Sequence, residues 1–123
     1  MTIAITMTNN TSSKSKDIII RTTEYSILVL RLLKKIKVTI YNDNIIRQLL
    51  ISSSSIGANY CEARETTTKK DFYNKVNISK KEAKETMYWL DLLHADQTDI
   101  EEISSLRQEA YEFVRIFASM LPD

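Results

Sequence analysis

One glycine, one proline, one cysteine, one histidine and one tryptophan in 123 residues rule out several common designs. Turns, hairpins and bulges lean on glycine and proline for backbone shapes that other residues adopt at a cost. With Gly57 alone and Pro122 almost at the end of the sequence, an all-helical chain joined by short loops is expected. One glycine also cannot supply a Walker loop or a dinucleotide-binding fingerprint. Cys61 has no partner within the chain, and a lone thiol fits a reducing, cytoplasmic setting. No run approaches the roughly 18 apolar residues of a membrane span. The longest uncharged segment, 48–61, is half polar.

Catalytic chemistry is poorly supplied. A serine nucleophile needs a base beside it, and the only histidine, His94, falls near the far end of the third helix. Asp91 and His94 are spaced for one helix face. Carboxylate di-metal bundles, however, use two Glu-x-x-His motifs plus further glutamates, which one histidine cannot provide. No metal, no cofactor and no enzymatic activity are expected.

The apolar pattern divides residues 16–121 into four helices, a single domain at this length. Residues 1–15 read as a disordered polar lead, because MTIAITMTNNTSSKSK has no basic residue ahead of its short apolar run, as a signal peptide would. The first helix, about 16–41, repeats Ile18, Tyr25, Val29, Leu32, Ile36 and Ile40. Asn42, Asp43 and Asn44 interrupt it, as residues that tolerate left-handed backbone and cap the next helix. The second helix, about 45–65, has Ile45, Leu49, Ile56, Tyr60 and Ala63 on its core face. Thr68 and Asp71 form a capping pair for the third, about 69–95, which buries Phe72, Val76, Ser79, Ala83, Met87 and Leu90. Thr98 and Glu101 do the same for the fourth, about 99–121, whose Ile103, Leu106, Ala110, Phe113 and Phe117 lie opposite a run of glutamates. Connections this short imply an antiparallel up-down-up-down four-helix bundle.

Two helices are apolar on a second side as well. Ile20, Ile27 and Val38 of the first, and Ile78, Tyr88, Trp89 and Leu92 around Glu85 of the third, lie away from the core faces. A single bundle has one interior, so these strips imply homo-oligomerisation.

Within the second helix, LLISSSSIGANYCEA costs ~3 kcal/mol of helix propensity relative to alanine. Sorted by face, it gives a core stripe, a small-residue stripe of Ser54, Gly57 and Cys61 suited to close helix approach, and a polar stripe of Gln48, Ser52, Ser55, Asn59 and Glu62. The polar stripe is expected to form a structural seam with Lys75, Glu82 and Thr86 of the third helix. A catalytic reading would instead use Ser55, Asn59 and Glu62 as one cluster.

The charge, +1 overall, is uneven. Residues 1–41 hold seven cations against two carboxylates, and residues 99–123 hold two against six. The two ends could pair with each other, or the basic end could face a polyanion.

Two motifs carry a family resemblance. One is S-I-x-x-N-x-x-E-A, here Ser55, Ile56, Asn59, Glu62 and Ala63. The other is K-E-A-x-E-T-x-Y-W-L, here Lys81, Glu82, Ala83, Glu85, Thr86, Tyr88, Trp89 and Leu90. Over about 16–121 the chain resembles the bacterial four-helix proteins encoded within intervening sequences of 23S ribosomal RNA genes, also described as S23 ribosomal proteins. The resemblance implies a left-handed bundle and a ring-like homopentamer. It also implies a distant relation to the accessory variability determinant of diversity-generating retroelements, a markedly basic protein that binds nucleic acid and a reverse transcriptase.

The expected function is a non-enzymatic oligomeric scaffold that binds RNA or DNA through phosphates, with Arg31, Lys34, Lys35, Lys37, Lys69, Lys70, Lys80 and Lys81 as candidates. The alternative is a protein-interaction adaptor that docks a partner enzyme through acidic helix 4 and the apolar strips, without touching nucleic acid.

Overall fold

The computed structural model describes residues 14–97 and 101–123. It contains four α-helices, α1 (Lys14–Lys34), α2 (Asp43–Ala63), α3 (Lys69–Asp96) and α4 (Glu101–Met120), and no strand among the described residues. Residues 1–13 lie outside them, and so does the expected lead, save that α1 already begins at Lys14. Thr98 lies outside as well, so its pairing with Glu101 is not described. At the start of α3 the expected cap forms: the Asp71 N–H donates to Thr68 Oγ1 at 3.1 Å.

The core faces of α2, α3 and α4 follow their apolar spacing. Leu49, Ile56, Tyr60 and Ala63 are buried in α2, Val76, Ala83 and Leu90 in α3, and all five expected positions in α4. Ile45, Phe72 and Met87 are partly buried against this core, and Leu93 joins it. The centre is aromatic. Tyr25 meets Phe113 edge-on at 5.3 Å between centroids, and Phe117 lies between Phe113 (6.4 Å) and Tyr60 (5.6 Å). Such pairs add about 0.5–1.5 kcal/mol beyond their buried area. Buried Tyr25 also donates its hydroxyl to the Leu106 carbonyl at 2.8 Å, tying α1 to α4. Burial, with the nearby Glu109 charge adding to it, raises its pKa well above the usual phenol range.

Helix α1 stops at Lys34, short of the expected 41. The N–H groups of Lys35 and Ile36 turn back to the carbonyls of Leu32 and Leu33, a tightened last turn. The β-branched run Val38, Thr39, Ile40 then leaves the helix, where such side chains lose rotamer freedom. Ile36 still packs against the core from the loop, but Ile40 is 88% exposed and Val38 58%. Neither belongs to a face of α1.

A clamp built on Thr39 and Asn42 closes this loop. Thr39 N–H donates to Asn42 Oδ1 at 2.8 Å, while Thr39 Oγ1 accepts from the N–H groups of Tyr41 and Asn42. Asn42 Nδ2 donates to the Lys37 carbonyl and to Asp96 Oδ2, each at 3.0 Å. Buried Asn42 therefore occupies the N-cap position of α2 without capping it through its side chain, contrary to expectation. No described residue has left-handed backbone.

Of the small-residue stripe, Ser54 and Cys61 are exposed and do not take part in the expected close approach between α1 and α2, which Gly57 makes. A Cβ built there would lie 2.7 Å from Thr22 Oγ1 and 3.0 Å from Thr22 Cβ. Thr22 is buried and its hydroxyl is already committed to the Ile18 and Ile19 carbonyls. Gly57→Ala is therefore expected to lower stability in urea denaturation, by about 1–3 kcal/mol of overpacking against about 1 kcal/mol of helix propensity gained. In a Thr22→Ala background the same change should raise stability. Equal effects in both backgrounds would show that Thr22 is not the obstacle.

Candidate functional site

The chemistry-bearing residues fall in four places: the α2–α3 seam, the basic positions, the outer apolar flank and the α1–α4 cleft. Along the seam, Thr86 Oγ1 lies 3.0 Å from Ser52 Oγ and also donates to the Glu82 carbonyl, with both hydroxyls buried. One turn on, the Ser79 hydroxyl donates to the Ile56 carbonyl at 2.9 Å. Further along, Lys75 Nζ and Glu62 Oε1 pair at 2.6 Å.

Ser55 and Asn59 do not cross. Ser55 donates to the Ile51 carbonyl and Asn59 to the Ser55 carbonyl, both within α2. No side-chain hydrogen bond joins Ser55, Asn59 and Glu62 to one another; each is engaged separately, Glu62 with Lys75. Burial, with Glu85 adding to it, raises the pKa of the half-buried Glu82 carboxyl. Among the described residues no three His, Cys, Asp or Glu side chains meet where a metal ion could sit.

The basic candidates divide into separate groups. Arg31, Lys34, Lys35 and Lys37 precede α2, and Lys69 and Lys70 follow it, so a helix of 21 residues separates them. That length corresponds to about 30 Å. Lys80 and Lys81 lie near the middle of α3. Lys35 is engaged with Glu102 of α4 at 2.8 Å. Arg31, Lys34 and Lys37 are exposed and form no ion pair among the described residues.

The basic beginning and acidic end of the chain meet in the cleft between α1 and α4. Arg21 lies 2.8 Å from Glu109 and 3.2 Å from Glu112, with its guanidinium over the Phe113 ring. The cleft has a volume of about 450 Å³, floored by Tyr25, Leu28 and Leu106 and edged by carboxylates. Arg107 pairs with Asp91 between α4 and α3.

Of the second apolar strips, Ile20 and Ile27 are half-buried within the chain, and Val38 lies in the loop. The α3 strip is more open, with Ile78 and Leu92 exposed and Tyr88 57% exposed. Trp89 is half-buried and packs against the core. Its indole N–H donates to Glu85 Oε2 at 3.1 Å, and its ring meets Tyr88 edge-on at 5.1 Å. At 100° per residue, exposed Ile51 of α2 points to the same flank as Ser55 and Glu62, toward α3. Spacing on α2 carries that signal, although Ile51 lies off its core face. Exposed Leu50 and Tyr41 were likewise not anticipated as surface groups.

A search of curated proteins returns no match. Among solved structures, the chain is similar to the crystal structure, at 1.70 Å, of a protein of unknown function from the S23 ribosomal protein family of Bacteroides thetaiotaomicron VPI-5482. The two share 31% identity over 84% of this chain and 96% of that one, with a TM-score of 0.75. The family model described as 23S rRNA-intervening sequence protein matches residues 14–119, from the first described turn of α1 nearly to the end of α4. Four helices, the motif-bearing α2 and α3 and this match together place the chain in the 23S rRNA-intervening sequence protein family.

Proposed function

We propose that this protein is a non-enzymatic helical scaffold that assembles from copies of itself and contacts RNA or DNA through their phosphates. The observation that carries the reading is the apolar α2–α3 flank, where Ile51, Ile78, Tyr88 and Leu92 are exposed. Several large apolar side chains exposed on neighbouring helices favour a protein interface. The ring-like homopentamer implied by the family resemblance would give it a partner copy. The order of α2–α3 contacts, with Ser52 at Thr86, Ile56 at Ser79 and Glu62 at Lys75, supports an antiparallel up-down-up-down path. Exposed Cys61 suits a reducing, cytoplasmic setting. The nucleic-acid half of the reading is supported by Arg31, Lys34 and Lys37, three exposed cations without ion pairs around one end of α1.

Trp89 also packs inward, so exposed Tyr88 and Leu92 are the sharper probes of assembly. Sedimentation of the wild type should report an oligomer. Tyr88→Asp with Leu92→Asp should sediment as a monomer of unchanged helicity, because a charge in a dry interface is costly. A monomeric wild type would refute self-association.

Filter binding tests the other half. For three phosphate contacts, log affinity should fall with log salt at a slope of about −2 to −3. Replacing Arg31, Lys34 and Lys37 together by Gln should remove most of both the affinity and the slope. No retention of RNA or DNA at low salt would end this half of the reading and favour an adaptor that docks a partner protein at the acidic α1–α4 cleft.

A further inference from the structure

The loop joining α1 to α2 combines a fixed backbone with apolar side chains left in water. Thr39 and Asn42 hold it through the clamp described above, with Asp96 as an anchor on α3. The Asp43 N–H adds a bond to the Thr39 carbonyl. Outward from this rigid turn stand Ile40 and, 82% exposed, Tyr41. A recognition element held in place before binding loses less ordering entropy when its ligand arrives.

The charges around the loop narrow the ligand. Lys37 lies beside the clamp, its carbonyl accepting from Asn42, and Lys34 and Arg31 lead into the loop from the last turns of α1. Of the neighbouring carboxylates, Asp43 is paired with Arg47, while Asp96 keeps its charge and is turned toward the Asn42 amide. Lys35 is paired with Glu102. What faces solvent, beside the aliphatic Val38 and Ile40, is one aromatic ring and three cations.

An aromatic face beside a row of cations is the combination that binds single strands, with the ring stacking on a base and the cations neutralising phosphates. In a duplex the base faces are covered by their neighbours, and the ring would find only edges and backbone. We propose that loop 35–42 is a binding site for single-stranded nucleic acid, with Tyr41 stacking on an unpaired base and Lys37, Lys34 and Arg31 contacting the adjoining phosphates. This inference rests on the nucleic-acid reading above and adds the strandedness of the ligand and the residue that reads it.

The test is fluorescence anisotropy of the full chain with a short labelled single-stranded RNA, the DNA of the same sequence and the corresponding duplex. Flotation with phosphatidylcholine vesicles containing phosphatidylserine runs in parallel. Both single strands should bind more tightly than the duplex, and their relative affinities distinguish an RNA from a DNA ligand. Tyr41→Ala, at a solvent-exposed position, should leave the circular dichroism unchanged. It should weaken single-strand binding by about 5- to 150-fold at the same salt slope, whereas Tyr41→Phe should stay near the wild type. Lys37→Gln should instead reduce the slope by about 0.7.

If strands bind with a steep salt slope but ignore Tyr41→Ala, or the duplex binds equally well, the stacking site is overturned and the phosphate reading survives. If no oligonucleotide binds, both fall. Vesicle binding without oligonucleotide binding would overturn both and make the loop a membrane contact.

Discussion

Everything in the bundle is arranged around how closely α2 can be approached from two sides. Toward α1, a hydrogen atom in place of a side chain at Gly57 lets the buried Thr22 hydroxyl lie only 2.7 Å from where a Cβ would otherwise be. Toward α3, hydroxyls rather than longer side chains make the contact, with Ser52 meeting Thr86 and Ser79 reaching the Ile56 carbonyl. The local propensity penalty of the serine stretch is the consequence of this requirement. Tertiary packing offsets it, as it commonly does for helices whose stability comes from a buried face. Satisfying every polar group is part of the same requirement, since a buried orphan hydroxyl would cost about 1–3 kcal/mol. Among the described residues no buried side-chain nitrogen or oxygen lacks a partner.

How much of this was legible depends on whether the deciding interaction is local. Helix α4 was the easiest to read because one face is apolar and the other carries glutamates, so a single period separates core from solvent. Of the small-residue stripe of α2 only Gly57 was legible, because glycine has few structural uses inside a helix other than close approach, while Ser54 and Cys61 are exposed. The end of α1 was not legible. Ile36 and Ile40 continue the apolar period by coincidence, while the clamp that ends the segment needs Asp96, 54 positions away from Asn42. The seam was legible as a flank and illegible as a set of bonds. Ser52, Ser55 and Asn59 share a stripe, but Ser and Asn side chains can also turn back to their own helix carbonyls. Only Ser52 of the three meets a side chain of α3.

The same distinction governs the candidate binding residues. Which side chains carry positive charge is evident from composition; which of them are available is not. Lys35 looks equivalent to Lys34 until Glu102, 67 positions on, takes its charge. Arg21 likewise belongs to a mixed cluster with Glu109 and Glu112 that links α1 to α4. The charge imbalance along the sequence is therefore partly spent in internal pairing, and the cations left over among the described residues include Arg31, Lys34 and Lys37 around the end of α1 as well as Lys69, Lys70 and Lys81 on α3.

This changes what a net charge of +1 means for a nucleic-acid ligand. Exposed charges separated by more than a Debye length, about 8 Å in physiological salt, are largely screened from one another. A phosphate therefore responds to the few charges beside it and hardly to the sum over the molecule. At loop 35–42 the carboxylates of Asp43 and Glu102 are paired with cations and Asp96 alone keeps an uncompensated charge, while Arg31, Lys34 and Lys37 have no ion pair among the described residues. The carboxylates edging the α1–α4 cleft present the opposite local field to an approaching ligand. A near-neutral chain can thus hold a cationic contact and an anionic cleft at once, and both would lose strength as salt is raised. Their difference lies in what accompanies the charge: an exposed aromatic ring on a rigid turn at one, a leucine-floored cleft at the other.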